Sequence, residues 1–132
     1  MTSVCTGSLI LGCAGLLKAY RATSHWAFRD LLPLLGAIPV SERVVEDRNR
    51  ITGAGVTSGI DFGLTVSARM RGVQYAEMLQ LINEYDPHPP FHAGTPVLAG
   101  PDITNHLREF MAPGLASAKK AAVIAASKIA AG

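Results

Sequence analysis

The sequence predicts an α/β layered domain. A β-prone segment, Thr2–Val4, leads through a tight turn into an apolar run of helical length, residues 9–17, and short strands and further helices follow. This order of elements is typical of folds in which helices cover the faces of a sheet. With 132 residues, 48% of them hydrophobic, the chain is long enough to form one domain with a sizeable core.

Residues 9–17 predict a buried helix, because they are apolar on nearly every side. Gly12 and Gly15 fall inside this run, and each weakens a helix by roughly 1 kcal/mol relative to Ala. Such a cost is usually tolerated where another backbone approaches closely. We therefore expect this helix to pack tightly on a sheet.

The middle of the chain is predicted to be mainly β. An extended segment leads to Ser24, the expected N-cap of a helix that Pro33 would kink or end. The apolar positions of this helix are Trp26, Phe28, Leu31 and Leu32. Three short strands follow at residues 38–40, 43–46 and 50–52, and a polar turn joins the last two.

The second half of the chain is predicted to be helical. Small and apolar residues recur at helical spacing over residues 55–67, which predicts a second buried helix. Residues 74–85 predict a third helix, with one side formed by Ala76, Leu79 and Ile82. After an extended, proline-rich connector, residues 101–111 predict a short amphipathic helix. The Ala-rich residues 114–132 predict a solvent-facing or docking helix.

Composition and charge restrict the classes of partner. Charged residues make up 17% of the chain and the formal net charge is +2, so no basic block suggests nucleic acid or anionic lipid. The most apolar stretch is far shorter than the roughly 20 residues that cross a bilayer. Cys5 and Cys13 follow no secretory signal. We therefore expect a reduced, cytoplasmic protein without nucleic-acid or membrane partners.

Cys5 is the candidate nucleophile. It falls at the predicted junction of the first strand and helix, where a sharp turn would expose its sulfur at the carboxyl edge of the sheet. The first N–H groups of the helix would point to the same place, and those of Thr6 and Gly7 could stabilise developing negative charge. From spacing alone, a catalytic thiol and a buried structural cysteine both remain open.

His25 is a candidate neighbour of this site. It falls at a second strand-to-helix junction and could act as an acid, a base or a charge partner, or could simply order its loop. Cys13, inside an apolar helix, is expected to be a small core hydrophobe. No metal site is predicted, because no metal-ligand spacing links the remaining histidines, which are His88, His92 and His106.

No general acid or base is evident near Cys5. Asp61 is the most interesting carboxylate, but it lies one position from the apolar face of its helix. We expect Asp61 to be an ordinary solvent-facing or capping residue. The sequence thus offers a nucleophile without an obvious group to move protons.

Several ordered segments resemble the ThiJ/PfpI superfamily. The segments SVCTGS (residues 3–8), AGLL (14–17) and ATSHW (22–26) are similar to its nucleophile region. The later segments NRITGAGVTSGIDF (49–62), EYDP (84–87) and PPF (89–91) resemble its isonitrile hydratase branch. The resemblance implies a flavodoxin-like three-layer α/β/α sandwich, usually dimeric, that acts on a small isonitrile without a cofactor.

The resemblance also implies roles for individual residues. Cys5 would attack the isonitrile carbon to give a thioimidate, which water would release as an N-substituted formamide. Thr6 would line the site with its hydroxyl and its N–H, and Gly7 would belong to the same amide cradle. Because Thr6 stands where protease-like relatives have a histidine, a dyad of adjacent Cys and His is not expected.

The resemblance covers residues 2 to about 100. We interpret residues 1–100 as the C-terminal half of a ThiJ/PfpI domain and residues 101–132 as a C-terminal helical extension. In this family the acidic partner of the cysteine comes from the N-terminal half, so we expect no residue here to inherit that role. Whether the chain alone turns over substrate is therefore open.

Two other classes of function remain. One is the ligand-sensing domain of an AraC-type transcription regulator, since such sensors carry similar segments around the cysteine and the histidine. That hypothesis predicts a following helix-turn-helix pair, which the Ala-rich tail does not resemble. The other is a non-catalytic remnant that forms a homodimer through an exposed sheet edge or its C-terminal helices.

Overall fold

The computed structural model describes residues 1–131 and contains five short strands. They are β1 (Thr2–Val4), β2 (Arg21–Ala22), β3 (Ile38–Pro39), β4 (Val44–Asp47) and β5 (Arg50–Gly53). One sheet has the order β1-β5-β4, in which β1 is parallel to β5 and β4 is antiparallel to it. β2 and β3 form a separate parallel pair. Among the described residues, β1 has a neighbour on one side only.

Helices make up most of the remainder. They are α1 (Gly7–Cys13), a 3₁₀ helix (Arg29–Leu35), α2 (Ser58–Arg71), α3 (Val73–Ile82) and α4 (Pro96–Ala131). α4 is kinked at Gly100, whose φ of 80° and ψ of 171° lie outside the helical region. In the described part of the chain, none of these helices is long and apolar enough to span a membrane.

Helices cover both faces of the sheet. Ser3 and Val4 are successive residues of β1, so their side chains point to opposite faces. Ser3 lies under α1, where a Cβ added at Gly7 would be 3.3 Å from the Ser3 Cβ. Val4 lies under α2, where a Cβ added at Gly59 would be 3.8 Å from the Val4 Cγ1. α1 and α2 are therefore on opposite faces, as in a layered α/β/α fold.

The buried core lies between α1, the 3₁₀ helix and α4. Its members are Leu9, Leu17, Ala22, Leu31, Leu32, Leu35, Ala37 and Ala122. Gly12 makes this packing possible, because an added Cβ would be 2.7 Å from the Leu35 Cδ1. The sequence predicted a close approach at Gly12, and the group that approaches is a side chain rather than a backbone.

Most predicted elements form, with shifted boundaries. The first strand and the β4–β5 hairpin are confirmed. α1 ends at Cys13, because the chain turns there and Gly15 adopts a φ of 73° outside the helix. The helix predicted from Ser24 begins only at Arg29 and is a 3₁₀ helix that contains Pro33. Proline has no N–H to donate, so a regular α-helical ladder is interrupted there.

The prediction that the second helix is buried is wrong. α2 was predicted as a buried helix, but Ile60 is 48% exposed and Ser58 is the one fully buried residue of this helix. In α3, Ala76 is buried, whereas Ile82, which the sequence places on the same side of the helix, is 81% exposed. The apolar pattern was correct, but among residues 1–131 no element covers these positions.

The Ala-rich helix forms within α4 and docks through Ala122, while Gly132 lies outside the described residues. The division at residue 100 stays a prediction.

Candidate active site

Cys5 is held in an unusual backbone conformation between β1 and α1. Its φ of 58° lies in the left-handed region, which residues other than glycine rarely adopt. Its N–H donates to the carbonyl oxygens of Gly53 at 3.0 Å and Ala54 at 2.8 Å. Its carbonyl oxygen accepts from the hydroxyls of Ser8 at 3.1 Å and Ser24 at 3.0 Å. Such a conformation costs roughly 1–3 kcal/mol and persists only where its surroundings fix it.

Three segments meet at Cys5 because of the sheet topology. β1 and β5 are parallel, so their carboxyl ends, Val4 and Gly53, lie at the same edge of the sheet. The segment after β2 reaches this edge through the Thr23 N–H, which donates to the Thr52 Oγ1 at 2.9 Å. Ser24, next to Thr23, is thereby placed against the Cys5 carbonyl. The sequence predicted Ser24 as a helix N-cap, and this assignment is wrong.

Thr6 and Gly7 follow Cys5 at the start of α1. Thr6 is exposed, and its hydroxyl makes no capping hydrogen bond. Among the described residues no acceptor is found for the N–H of either Thr6 or Gly7. Gly7 allows α1 to begin close above β1, where a side chain would press on Ser3. These N–H groups are therefore unpaired within the described residues, and their role as an amide cradle stays a prediction.

His25 lies on the loop that carries Ser24. Its Nδ1 accepts the Ala27 N–H at 3.3 Å, so the neutral ring carries its proton on Nε2. Burial lowers the pKa of His25, and the imidazole is therefore neutral at pH 7. Gly55 leaves room for the ring, because an added Cβ would be 3.3 Å from the His25 Cδ2. The imidazole thus packs against the loop that follows β5.

A cleft of about 340 Å³ opens beside His25. Its walls come from residues 24–26, 41–43, 54–57 and 94–96, together with Arg29. Two of these wall residues, Ser24 and Ala54, hydrogen-bond directly to the backbone of Cys5. The cleft therefore adjoins the cysteine turn through the Cys5 backbone, and Cys5 itself is not among its lining residues. No sequence pattern predicts the cleft, because its walls come from four separate segments.

Asp61 belongs to a polar network rather than to a free surface. The Tyr85 hydroxyl donates to its Oδ1 at 2.5 Å, and the Arg43 guanidinium pairs with its Oδ2. Burial raises the pKa of Asp61, but the hydrogen bonds from Tyr85 and Arg43 outweigh it and hold that pKa below its usual value. The Arg43 carbonyl also accepts the Ala54 N–H at 2.8 Å, which links the network to the site loop. The expectation of an ordinary solvent-facing or capping carboxylate is wrong.

The remaining candidates lie away from this cluster. Cys13 packs against the core as a small hydrophobic group, as predicted, and both cysteines are unpaired thiols. His88, His92 and His106 are exposed. In residues 1–131, no group of three or more histidine, cysteine or acidic side chains is arranged to hold a metal ion.

The fold and this turn define a class of protein: a flavodoxin-like α/β domain with a cysteine on a strand-to-helix turn at the carboxyl edge of the sheet. The DJ-1/PfpI family model matches residues 1–69, and the chain belongs to the DJ-1/PfpI family. A solved structure of a ThiJ/PfpI family protein from Pseudomonas syringae superimposes with a TM-score of 0.80 at 57% sequence identity. That match covers 95% of this chain and 50% of the other.

The curated relatives include an enzyme and transcriptional regulators. Isonitrile hydratase from Pseudomonas putida is 55% identical over 115 residues, covering 87% of this chain and 50% of the relative. The HTH-type transcriptional regulator CdhR from Pseudomonas aeruginosa is 43% identical over 76 residues, covering 54% of this chain and 22% of the regulator. The chain thus spans half the length of isonitrile hydratase and a smaller share of the regulator.

Proposed function

We propose that this chain is the cysteine-bearing part of an isonitrile hydratase. The observation that carries the proposal is the fixed, left-handed Cys5 on its strand-to-helix turn, in a chain that is 55% identical to isonitrile hydratase. A thiol held on such a turn stands clear of its neighbouring side chains and can approach a small electrophile. A small isonitrile is the substrate, and the chemistry needs no cofactor.

The reaction proceeds in two balanced steps. The Cys5 sulfur bonds to the terminal carbon of the isonitrile, and the thiol proton ends on that same carbon, which gives a thioimidate. Water then adds to this carbon, the carbon–sulfur bond breaks, and the sulfur recovers its proton as the N-substituted formamide leaves. The N–H groups of Thr6 and Gly7 stabilise negative charge that develops during these steps, and the Thr6 hydroxyl lines the site.

Proton transfer in this reaction requires a group other than the described carboxylates. No described carboxylate hydrogen-bonds to Cys5. Glu42, which lines the cleft, forms an ion pair with Arg21, and Asp61 forms one with Arg43. His25 is neutral at pH 7 and lies on a loop tied to Cys5, so it is a candidate base that takes up the thiol proton and returns it to the substrate. We propose that an acidic group from elsewhere in the complete DJ-1/PfpI domain assists it.

The test is formamide production from a simple isonitrile by the purified protein. We expect Cys5→Ala to abolish it and Cys13→Ala, the matched change at the second free thiol, to leave it unchanged. Mass spectrometry of the wild-type protein should show an adduct with the mass of one isonitrile on the peptide that contains Cys5. Equal formamide rates for the wild type and Cys5→Ala would contradict the proposal.

A second candidate function is that of a ligand-sensing domain. The similarity to the transcriptional regulator CdhR, which is 43% identical over 76 residues, favours it. A sensor domain binds its small-molecule ligand without converting it. It therefore predicts that Cys5→Ala binds the same small molecule as the wild type and that neither protein forms formamide.

We also propose a cytoplasmic homodimer. Two free thiols are compatible with a reducing compartment. α3 carries large apolar side chains that no described element covers, among them Leu81, which is 81% exposed. Exposed apolar surface of this kind favours association. Light scattering during size-exclusion chromatography should give twice the chain mass, and a stable monomer at micromolar concentration would argue against a dimer.

A further inference from the structure

Arg29 places a positive charge in the cleft beside His25. It is the first residue of the 3₁₀ helix, it is half-buried, and its Nη1 donates to the Ser41 hydroxyl at 2.9 Å. A guanidinium has five N–H donors. The bond to Ser41 is the one side-chain hydrogen bond that Arg29 makes within residues 1–131, and it forms no ion pair there.

The other charges of the cleft are already compensated. Glu42 lies 3.7 Å from the Arg21 guanidinium, and Arg43 is bound to Asp61. Arg29 is therefore the cleft cation without a described counter-charge. A half-buried guanidinium with unused donors favours a planar anion that can accept two parallel hydrogen bonds, which is the geometry of a carboxylate.

The position of the cleft connects this cation to the cysteine. Ser24 and Ala54 line the cleft and hydrogen-bond to the Cys5 backbone, and His25 and Arg29 line the same cleft. Trp26 adds apolar surface to the wall. The volume of about 340 Å³ lies at the lower end of the range of about 300–1,000 Å³ that is typical of small-molecule pockets.

We propose that this cleft binds the substituent of the isonitrile and that Arg29 selects substituents that end in a carboxylate. The inference rests on the proposed function. The isonitrile carbon reacts at Cys5 while the carboxylate of the same molecule pairs with Arg29. The substrate class is then the isocyano carboxylates, and the product of each is an N-formyl amino acid.

Substrate selectivity tests this assignment. We expect kcat/KM for isocyanoacetate or isocyanobutyrate to exceed that for the corresponding primary amide by about tenfold, the size of one charge-assisted hydrogen bond. Arg29→Gln should remove this preference, and Arg29→Lys should retain part of it. The matched control is Arg71→Gln, since Arg71 is exposed, lies over Tyr75 and is outside the cleft. An unchanged preference in Arg29→Gln would overturn the assignment.

Binding of the product separates this inference from the proposed function. Calorimetry with N-formylglycine and its amide requires no turnover, and circular dichroism verifies that each variant is folded. Arg29-dependent binding of N-formylglycine without any isonitrile turnover would support the subsite and reject the hydratase. Isonitrile turnover without dependence on Arg29 in either assay would support the hydratase and reject the subsite. Absence of both turnover and binding would reject both proposals.

Discussion

The Ser24 hydroxyl donates a hydrogen bond at 3.0 Å to the carbonyl oxygen of Cys5, 19 residues earlier in the chain. Ser24 has no exposed surface. The bond joins the loop that carries His25 to the turn that carries the thiol. Together with the Ser8 hydroxyl and two carbonyl acceptors for the Cys5 N–H, it fixes the left-handed conformation.

Ser24→Ala should therefore destabilise the protein. The change removes one of two donors to the Cys5 carbonyl, which the Ser8 hydroxyl still pairs, so we expect a cost of about 0.5–1.5 kcal/mol. Urea denaturation measures this difference in the free energy of unfolding. Ser117→Ala is the control, because Ser117 is exposed in α4, and we expect a change within about 0.5 kcal/mol. Similar unfolding midpoints for the two variants would show that the bond does not hold the turn.

The difference in stability between the glycine and the alanine variant should have opposite signs at the two cysteines. At Cys5 the left-handed backbone favours glycine, so Cys5→Gly should be more stable than Cys5→Ala by about 1 kcal/mol. At Cys13, which lies in α1, Cys13→Gly should be less stable than Cys13→Ala by about 1 kcal/mol. Thermal unfolding of the four variants measures both differences. The same order at both sites would mean that Cys5 is not strained.

The local part of this site could be predicted from the sequence, because it depends on neighbours in the chain. A β-prone segment, a cysteine, small residues and an apolar run are sufficient to place Cys5 on a strand-to-helix turn. The turn between β4 and β5 was likewise predicted from its polar residues. Such patterns determine the secondary structure of the residues that carry them and of their near neighbours in the chain.

The rest of the site depends on contacts between distant segments, which periodicity does not report. Ser24 was assigned to a helix N-cap because serine before an apolar run is a common cap signal. In the structure its hydroxyl instead donates to the carbonyl oxygen of Cys5, 19 residues earlier in the chain. Asp61 was judged by its position on one helix, whereas its partners Arg43 and Tyr85 come from other segments. No sequence pattern indicates a role for Arg29, because only the fold shows that it lines a cleft.

Gly12 and Gly63 should respond oppositely to alanine. Both lie inside helices, where alanine is favoured by about 1 kcal/mol. At Gly63 an added Cβ meets nothing within 4 Å, so Gly63→Ala should stabilise the protein by about 0.5–1 kcal/mol. At Gly12 the Cβ would lie 2.7 Å from the Leu35 Cδ1, so Gly12→Ala should destabilise it by about 1–3 kcal/mol.

Urea denaturation of the two glycine variants and of the double variant Gly12→Ala, Leu35→Ala separates the causes. If the clash with Leu35 is responsible, the added methyl group should cost much less when Leu35 is already truncated. An equal cost of Gly12→Ala in both backgrounds would point to backbone strain instead.

The Asp61 network should make stability depend on pH. The hydrogen bonds from Tyr85 and Arg43 hold the pKa of Asp61 below its ordinary value of 3.8, despite the opposing effect of burial. The unfolded chain therefore takes up this proton at a higher pH than the folded protein. The contribution of Asp61 is present above the ordinary pKa and is lost as the pH falls through the lower, folded value.

Asp61→Asn should thus be less stable than the wild type at pH 7 and approach it in acid. We expect a difference of about 1 kcal/mol at neutral pH, because the Arg43 side chain is 56% exposed and solvent screens the pair. Urea unfolding across a series of pH values that passes below 3.8 measures how this difference closes. Glu109→Gln, at an exposed position of α4, controls for the loss of one negative charge. A difference that stays constant through this range would show that the ionised carboxylate of Asp61 is not what the network stabilises.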